Sequence, residues 1–191
     1  MAGKEYVCVL KLHSKVPENE VKKVLDEFQG PIYQRPPVRS AVKRKLRTRT
    51  IYYNEFIEMK ERNVLFKVGC EAGTYIRKLC YDIGEVLGCS AHMQELRRTR
   101  AGPFIEDESL VTLHDISYFY NKWLETKNEM YLRRFVSPME KALTLLPKIF
   151  VRDSAIDALC HGAHLTAPGV LSLNAGIKIG DSVAVFTQKG E

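Results

Sequence analysis

Residues Glu71–Gly88, EAGTYIRKLCYDIGEVLG, decide the fold class. After Gly73, the apolar residues Ile76, Leu79, Cys80, Ile83, Val86 and Leu87 recur at the spacing of one helix face, and Gly88 closes the run. On both sides the period changes to that of strands. Thr48–Met59 and Asn63–Glu71 are β-rich runs separated by Lys60, Glu61 and Arg62, which predicts a hairpin. ELRRTRAGPF (Glu95–Phe104) reads as a further strand bearing three arginines. Near the start, Tyr6, Cys8, Leu10 and Leu12 share one face of a strand within Glu5–His13. PENEVKKVLDEFQG (Pro17–Gly30) then predicts a helix with Val21, Val24, Leu25 and Phe28 inward, Pro17 in its first turn and Gly30 as its stop. Strands interrupted by single helices predict an α+β fold: a mixed, largely antiparallel sheet with flanking helices.

The rest of the chain divides by texture. Residues 112–146 predict two or three helices with Tyr118, Phe119, Tyr120, Trp123 and Tyr131 among them. Near Pro147 the pattern turns to short β-rich pieces with many glycines, which predicts a second small domain, a partial β barrel. The expected division is therefore 1–147 and 148–191.

Composition excludes several classes. The chain has 191 residues, 45% hydrophobic and 27% charged, the profile of a folded globular protein. No apolar run approaches the ~18 residues that span a bilayer. The start, MAGKEYVCVLK, has neither a basic n-region nor a long apolar h-region, so no secretory signal is expected. Five cysteines without a CxxC pair predict reduced thiols rather than a disulfide scaffold or zinc ribbon. In the set Cys70, Cys80, Cys89 and His92, Cys80 lies on the apolar stripe of the helix and reads as a buried small hydrophobe, and the pair His161 and His164 has no third ligand, so no metal is expected.

The net charge of +6 is local. RPPVRSAVKRKLRTR (Arg35–Arg49) holds seven basic residues and no acid, which leaves 22 basic and 23 acidic residues elsewhere. Pro31, Pro36 and Pro37 forbid a central strand or helix across this segment, so an extended loop is expected. Arg97, Arg98 and Arg100 form a second basic cluster in a β-type element. Two such elements on one fold suggest a phosphate-tracking surface suited to RNA; a solvated charged face is the alternative.

Motifs narrow this further. GKEY (Gly3–Tyr6), QRPPVRSAVKR (Gln34–Arg44), EAGTYIRKLCYDIG (Glu71–Gly84) and HMQELRRTRAGPF (His92–Phe104) together resemble the TruB/dyskerin family of pseudouridine synthases. LVTLHDI (Leu110–Ile116) and DSAIDALCHGAHLTAPGV (Asp153–Val170) continue the resemblance. The similarity is closest to the archaeal and eukaryotic branch, the catalytic subunit of the H/ACA guide-RNA particle. It implies isomerisation of uridine to pseudouridine in ribosomal RNA, with transfer RNA as a second substrate class. It implies no metal and no organic cofactor. Its implied partners are guide RNA, substrate RNA and the other H/ACA core proteins, with no membrane. Its implied place is the cytoplasm in an archaeon and the nucleolus in a eukaryote.

Residue by residue, the resemblance makes Tyr6 the tyrosine that stacks on the target uracil, and Arg77 the arginine that pairs with the catalytic aspartate. Ile76 and Leu96 would wall the uracil pocket. Arg39, Lys43, Arg44, Lys45, Arg47, Arg97 and Arg98 would bind RNA, as would Gly162, Pro168 and Gly169 in the segment resembling the start of a PUA domain. From the residues alone, Tyr6 reads rather as strand core, and Arg77, on the border of the apolar stripe, could equally be an exposed helix arginine. The family's Gly-Thr-Leu-Asp loop has no match in this sequence. Asp82, five residues after Arg77, falls on another helix face. The expectation is that this chain alone is inactive, as a fragment or as half of a split enzyme. A non-catalytic RNA-binding relative and a stand-alone transfer-RNA synthase of the TruB type are the rival readings; a DNA-binding regulator lacks a recognition-helix motif.

Overall fold

A computed structural model describes residues 3–37 and 42–190. The chain divides into two compact units between Glu106 and Asp107. In the first, β1 (Lys4–Leu12) is followed by α1 (Glu18–Glu27), β2 (Gly30–Gln34), β3 (Arg47–Lys60) and β4 (Asn63–Cys70). Then come α2 (Ile76–Val86), β5 (Ala91–Ala101) and the short β6 (Phe104–Ile105). The strands form one six-stranded antiparallel sheet in the order β2–β3–β4–β1–β5–β6. β1 thus lies inside the sheet, between β4 and β5.

Period-two alternation makes the core. Cys8, Leu10 and Leu12 from β1 and Val64, Phe66, Val68 and Cys70 from β4 are buried on one face. Against them α1 buries Val21, Val24 and Leu25, and α2 buries Ile76, Leu79, Cys80 and Ile83. Asn54 of β3 is buried and donates from Nδ2 to the Leu25 carbonyl, 2.9 Å away, which ties one of the last carbonyls of α1 to the sheet. The Cys8 and Cys80 sulfurs lie 3.5 Å apart as free thiols; their mutual contact and burial push the Cys80 thiol well above its ordinary range. Both pack as small hydrophobes.

In the first unit the structure departs from the sequence reading in three places. Pro31 does not open the loop: Gly30–Gln34 pairs with β3 as an edge strand, a place where a missing N–H is tolerated. Gly30 accordingly starts β2, and α1 ends at Glu27 with Phe28 as its C-cap. Val86 falls in the apolar stripe of α2 by spacing but is 56% exposed, whereas Ile83 before it and Leu87 after it pack against the core.

In the second unit, α3 (Leu113–Thr126) begins with a capping box. The Thr112 hydroxyl accepts from the Asp115 N–H, and the Asp115 carboxylate accepts from the Thr112 N–H at 2.9 Å. α4 (Met130–Arg133) and a 3-10 turn at Met139–Leu143 follow. Then β7 (Lys148–Val151), α5 (Asp153–Cys160), β8 (Val170–Leu173) and β9 (Ala184–Phe186) form a small αβ layer. Its sheet has the order β8–β7–β9, with β7 antiparallel to β8 and parallel to β9. The helix α5 corrects the expectation of β-rich pieces throughout: Ala155, Ala158 and Leu159 favour a helix, and Asp153 suits its positive end. No helix among the described residues is long and apolar enough to cross a membrane.

Candidate active site

Three elements of the first unit meet at one cavity. Tyr6 from β1, Ile76 and Arg77 from the start of α2, and Met93 and Leu96 from β5 line a space of about 330 Å³. Pro37, Thr74 and Tyr75 complete the wall. The size suits a single small ligand or one base. No lining residue is a carboxylate.

Each side chain arrives by local logic. Tyr6 lies on the same β1 face as Cys8 but one step nearer the edge of the core, so it is half-buried. Burial, and then proximity to Cys70, push its phenol above the usual value, while a hydrogen bond with Arg98 works the other way. The neutral, stackable form is therefore the one present at neutral pH. Ile76 is buried at the first residue of α2. Arg77, next along the helix, is exposed and has no ion-pair partner among the described residues. A free guanidinium at a cavity wall can take a carboxylate or a phosphate through two parallel hydrogen bonds. Leu96 is 40% exposed, an apolar wall open to an incoming group. The structure thus brings Tyr6, Ile76, Arg77 and Leu96 together. It does not bring Asp82 to them: that carboxylate is paired with Lys78 one helical turn back.

Behind Tyr6, on the other sheet face, sits a polar network that the sequence reading missed. β5 bulges between the partners of Glu5 and Tyr6, which face Arg100 and Arg98, so Thr99 is the extra residue. Thr99 donates to Glu5 Oε1 at 2.7 Å, and the Tyr53 hydroxyl donates to Glu5 Oε2. Arg100 Nη2 reaches the same hydroxyl at 3.4 Å. The bond from Tyr53, then that from Thr99, hold the Glu5 carboxyl below the usual carboxylate range. Burial and that carboxylate push Tyr53 up to about 12. Gln34 was missed as well. It is 2% exposed, and its amide bonds the Tyr75 backbone twice. The available signal was its period-two partnership with Ile32, which also faces the core.

The basic residues are distributed unevenly. Lys43, Arg44 and Lys45 are exposed and Arg47 is half-buried in the segment that follows Pro37. Arg44 Nε donates to the Pro36 carbonyl and Arg47 Nη2 to the Lys43 carbonyl, both at 3.3 Å, so two arginines also hold the segment's own backbone. Arg39 lies outside the described residues. Arg98 is exposed on β5, whereas Arg97 is held by Glu106 through two hydrogen bonds and is only partly free for another anion. In the second unit, Pro168 and Gly169 line a separate cavity of about 270 Å³ with His164, and Gly162 lies in the exposed turn after α5. A larger cavity of about 610 Å³ lies among Trp123, Leu132, Val136 and Pro138. Its charged pair, Glu129 and Arg133, is joined at 2.7 Å, which leaves that wall without a free reactive group. Among the described residues no group of three or more His, Cys, Asp or Glu could hold a metal ion.

A half-buried tyrosine, an arginine without an ion-pair partner among the described residues and an apolar wall thus surround a base-sized cavity beside a basic segment. Comparison with known proteins places it. Residues 2–76 match the N-terminal domain of the TruB family pseudouridylate synthases, 77–144 the C-terminal domain of tRNA pseudouridylate synthase B, and 147–191 the PUA domain. The chain belongs to the TruB family of pseudouridine synthases.

The relatives include a probable tRNA pseudouridine synthase B of Methanosarcina barkeri, 60% identical over all of this chain and 56% of the relative. A protein of the same description from Pyrococcus horikoshii is 60% identical over 190 residues, 57% of its length. A chain in a crystal structure of a Cbf5–Nop10–Gar1 complex matches with a TM-score of 0.94 at 57% identity, over 99% of this chain and 57% of that one. Another, in an H/ACA particle bound to a substrate RNA containing 2'-deoxyuridine, gives 0.91 at 52% identity, over 99% of this chain and 56% of that one. The chain spans a little over half the length of these proteins.

Proposed function

We propose that this chain forms the uracil-binding part of a uridine-to-pseudouridine isomerase that works in an archaeal H/ACA-type guide-RNA particle. The observation that carries the reading is the convergence of Tyr6, Ile76, Arg77 and Leu96 on one cavity. Tyr6 stacks on the flipped uracil, with Ile76 and Leu96 excluding water from its edges. Arg77 orients and keeps ionised the carboxylate that assists cleavage of the glycosidic bond. The balance is that of an isomerisation: the N1–C1' bond breaks, a C5–C1' bond forms, N1 gains a proton and C5 loses one. Lys43, Arg44, Lys45, Arg47 and Arg98 track phosphates of the RNA.

Residues 1–147 form the catalytic portion and 148–191 the PUA-like RNA-binding portion, with Gly162, Pro168 and Gly169 at its RNA contact. Nop10 and Gar1, present in the matched complexes, are the partner proteins, and the archaeal relatives favour a cytoplasmic place.

The lost C5 proton supplies the assay. A chimera carries this chain in place of the matching residues of the Methanosarcina barkeri relative, assembled with guide RNA and the particle's core proteins. With RNA tritiated at uridine C5, it should release tritium only when the guide is present. Arg77→Ala and Tyr6→Phe should cut release far more than they weaken RNA binding, leaving a slow but measurable rate. Guide-independent release from transfer RNA would favour the stand-alone reading that the relatives' names suggest; no release from either RNA would refute the assignment.

A further inference from the structure

We infer that Gln34 is a positioning residue for Arg77: its buried amide fixes the turn that launches α2 and so sets where the guanidinium enters the cavity. The inference rests on the pseudouridine-synthase reading of that cavity. A buried primary amide is costly unless both its groups are satisfied. Gln34, 2% exposed, commits both to one residue. Its Oε1 accepts from the Tyr75 N–H at 2.9 Å and its Nε2 donates to the Tyr75 carbonyl at 3.1 Å. The side chain thus pairs with Tyr75 as a neighbouring strand would. Tyr75 is the residue immediately before α2, and that helix start has no side-chain cap of its own. A Ser, Thr, Asp or Asn at this position would accept from an N–H of the first turn; here Gln34, from another strand, instead holds the backbone of the N-cap residue itself.

A second hold acts on the same turn from β3. Glu71 Oε1 lies 3.5 Å from Arg49 Nη1, and its Oε2 accepts from the Thr50 N–H at 3.2 Å. Thr74 Oγ1 donates to the Glu71 carbonyl at 2.7 Å. Gly73, at φ +87°, turns its bare Cα toward the Arg49 guanidinium, where a Cβ would stand 3.3 Å from Nε. Gln34 and Arg49 lie at the two ends of the basic segment. Both ends of the proposed RNA grip are therefore fastened to the five residues that precede Ile76 and Arg77. Arg49, although part of the basic run, faces this turn and serves as its support.

The test uses the chimera described above, assembled with guide RNA and substrate under single-turnover conditions. Gln34→Glu keeps the size and one acceptor and, as a carboxylate in an assay run at alkaline pH, cannot donate to the Tyr75 carbonyl; Gln34→Leu removes both bonds. Each should slow the chemical step by up to about 100-fold, as a misplacement of about 1 Å does, with RNA affinity held within about twofold. The double variant Gln34→Glu with Arg77→Ala should be no slower than Arg77→Ala alone, because Gln34 acts only through that arginine. A Gln34→Glu rate equal to wild type, or a loss that multiplies with that of Arg77→Ala, overturns the inference. If Gln34→Leu does not fold, Gln34→Glu decides alone. An inactive unsubstituted chimera refutes the proposed function instead. The inference is then read on the 191-residue chain by NMR: Gln34→Glu should shift the Arg77 Nε–Hε signal, and an unmoved signal overturns it.

Discussion

Gly69→Ala should detach Tyr53 from Glu5. Gly69 lies on β4, between the strand that carries Tyr53 and the strand that carries Glu5. The phenol crosses β4 at the one place where no side chain stands in its way. A Cβ on residue 69 would be 2.9 Å from Tyr53 Cδ1 and nearer still to Cε1 and Cζ, so the ring must leave. The hydrogen bond broken runs from a phenol to an ionised carboxylate, a type that contributes about 1.5–3 kcal/mol. Both groups are partly exposed, which puts this one at the low end. Alanine in a strand returns about 0.5–1 kcal/mol of backbone entropy relative to glycine. The balance is a destabilisation of about 1 kcal/mol, or about 4–8 °C in Tm for a unit of this size.

A titration reports the cause directly. Tyr53, with its folded pKa raised from 10 to about 12, keeps its proton where the unfolded chain has lost it. Stability is therefore lost as pH rises from about 10 to about 12. In Gly69→Ala that alkaline window should close as Tyr53 returns toward the ordinary tyrosine value. The chain has nine tyrosines, so the ring is followed by NMR of ζ-carbon-labelled tyrosine and assigned with Tyr53→Phe. A variant with unchanged Tm and an unchanged Tyr53 titration would refute the account of why residue 69 lacks a side chain.

Further outcomes can be measured on the same protein. Glu5 is held below its ordinary 4.5, so its contribution is present above that value and lost as pH falls through the lower folded value; Glu5→Gln should flatten this acid limb of a stability–pH curve. Phe66→Ala empties a fully buried site in the middle of β4 and should cost about 3–5 kcal/mol in denaturant unfolding. Thr112→Ala removes the α3 cap and should cost about 1 kcal/mol, read as faster amide exchange in the helix's first turn. Lys43→Ala with Lys45→Ala should leave Tm unchanged and lower the salt slope of RNA binding by roughly 0.7 for each single-strand phosphate no longer neutralised. An unchanged slope would assign that face to something other than phosphate.

What the sequence made legible follows from what leaves a periodic trace. Ile76, Leu79, Cys80 and Ile83 fall on one helix face by spacing alone, and all four are buried. Cys8, Leu10 and Leu12 do the same for a strand. Helix α5 was hidden because two turns of mixed small residues leave too short a trace against glycine-rich neighbours. The meeting of Tyr6, Arg77 and Leu96 has no periodic signature, since they come from separate elements; the motifs nominated them and the sheet order brought them to one cavity. Gln34 and Glu5 escaped both routes. A polar residue that is satisfied by distant backbone, or by a side chain crossing an intervening strand, looks in sequence like any surface residue.

The place of β1 inside the sheet has a consequence for how the chain reaches this structure. Lys4 pairs with Cys70 on one side and with Ala101 on the other, whereas β3 and β4 are joined by a tight turn. Closing the long loops costs entropy before any favourable pairing compensates it. The β3–β4 hairpin and the α2–β5 pair can form locally, but the gap between β4 and β5 is filled only when β1 inserts. That insertion is the high-contact-order step, and it also delivers Tyr6 to the cavity wall. Completion of the sheet and completion of the cavity should thus coincide in refolding kinetics. Substitutions in β1 that leave equilibrium stability intact should still delay the appearance of RNA-binding competence during refolding.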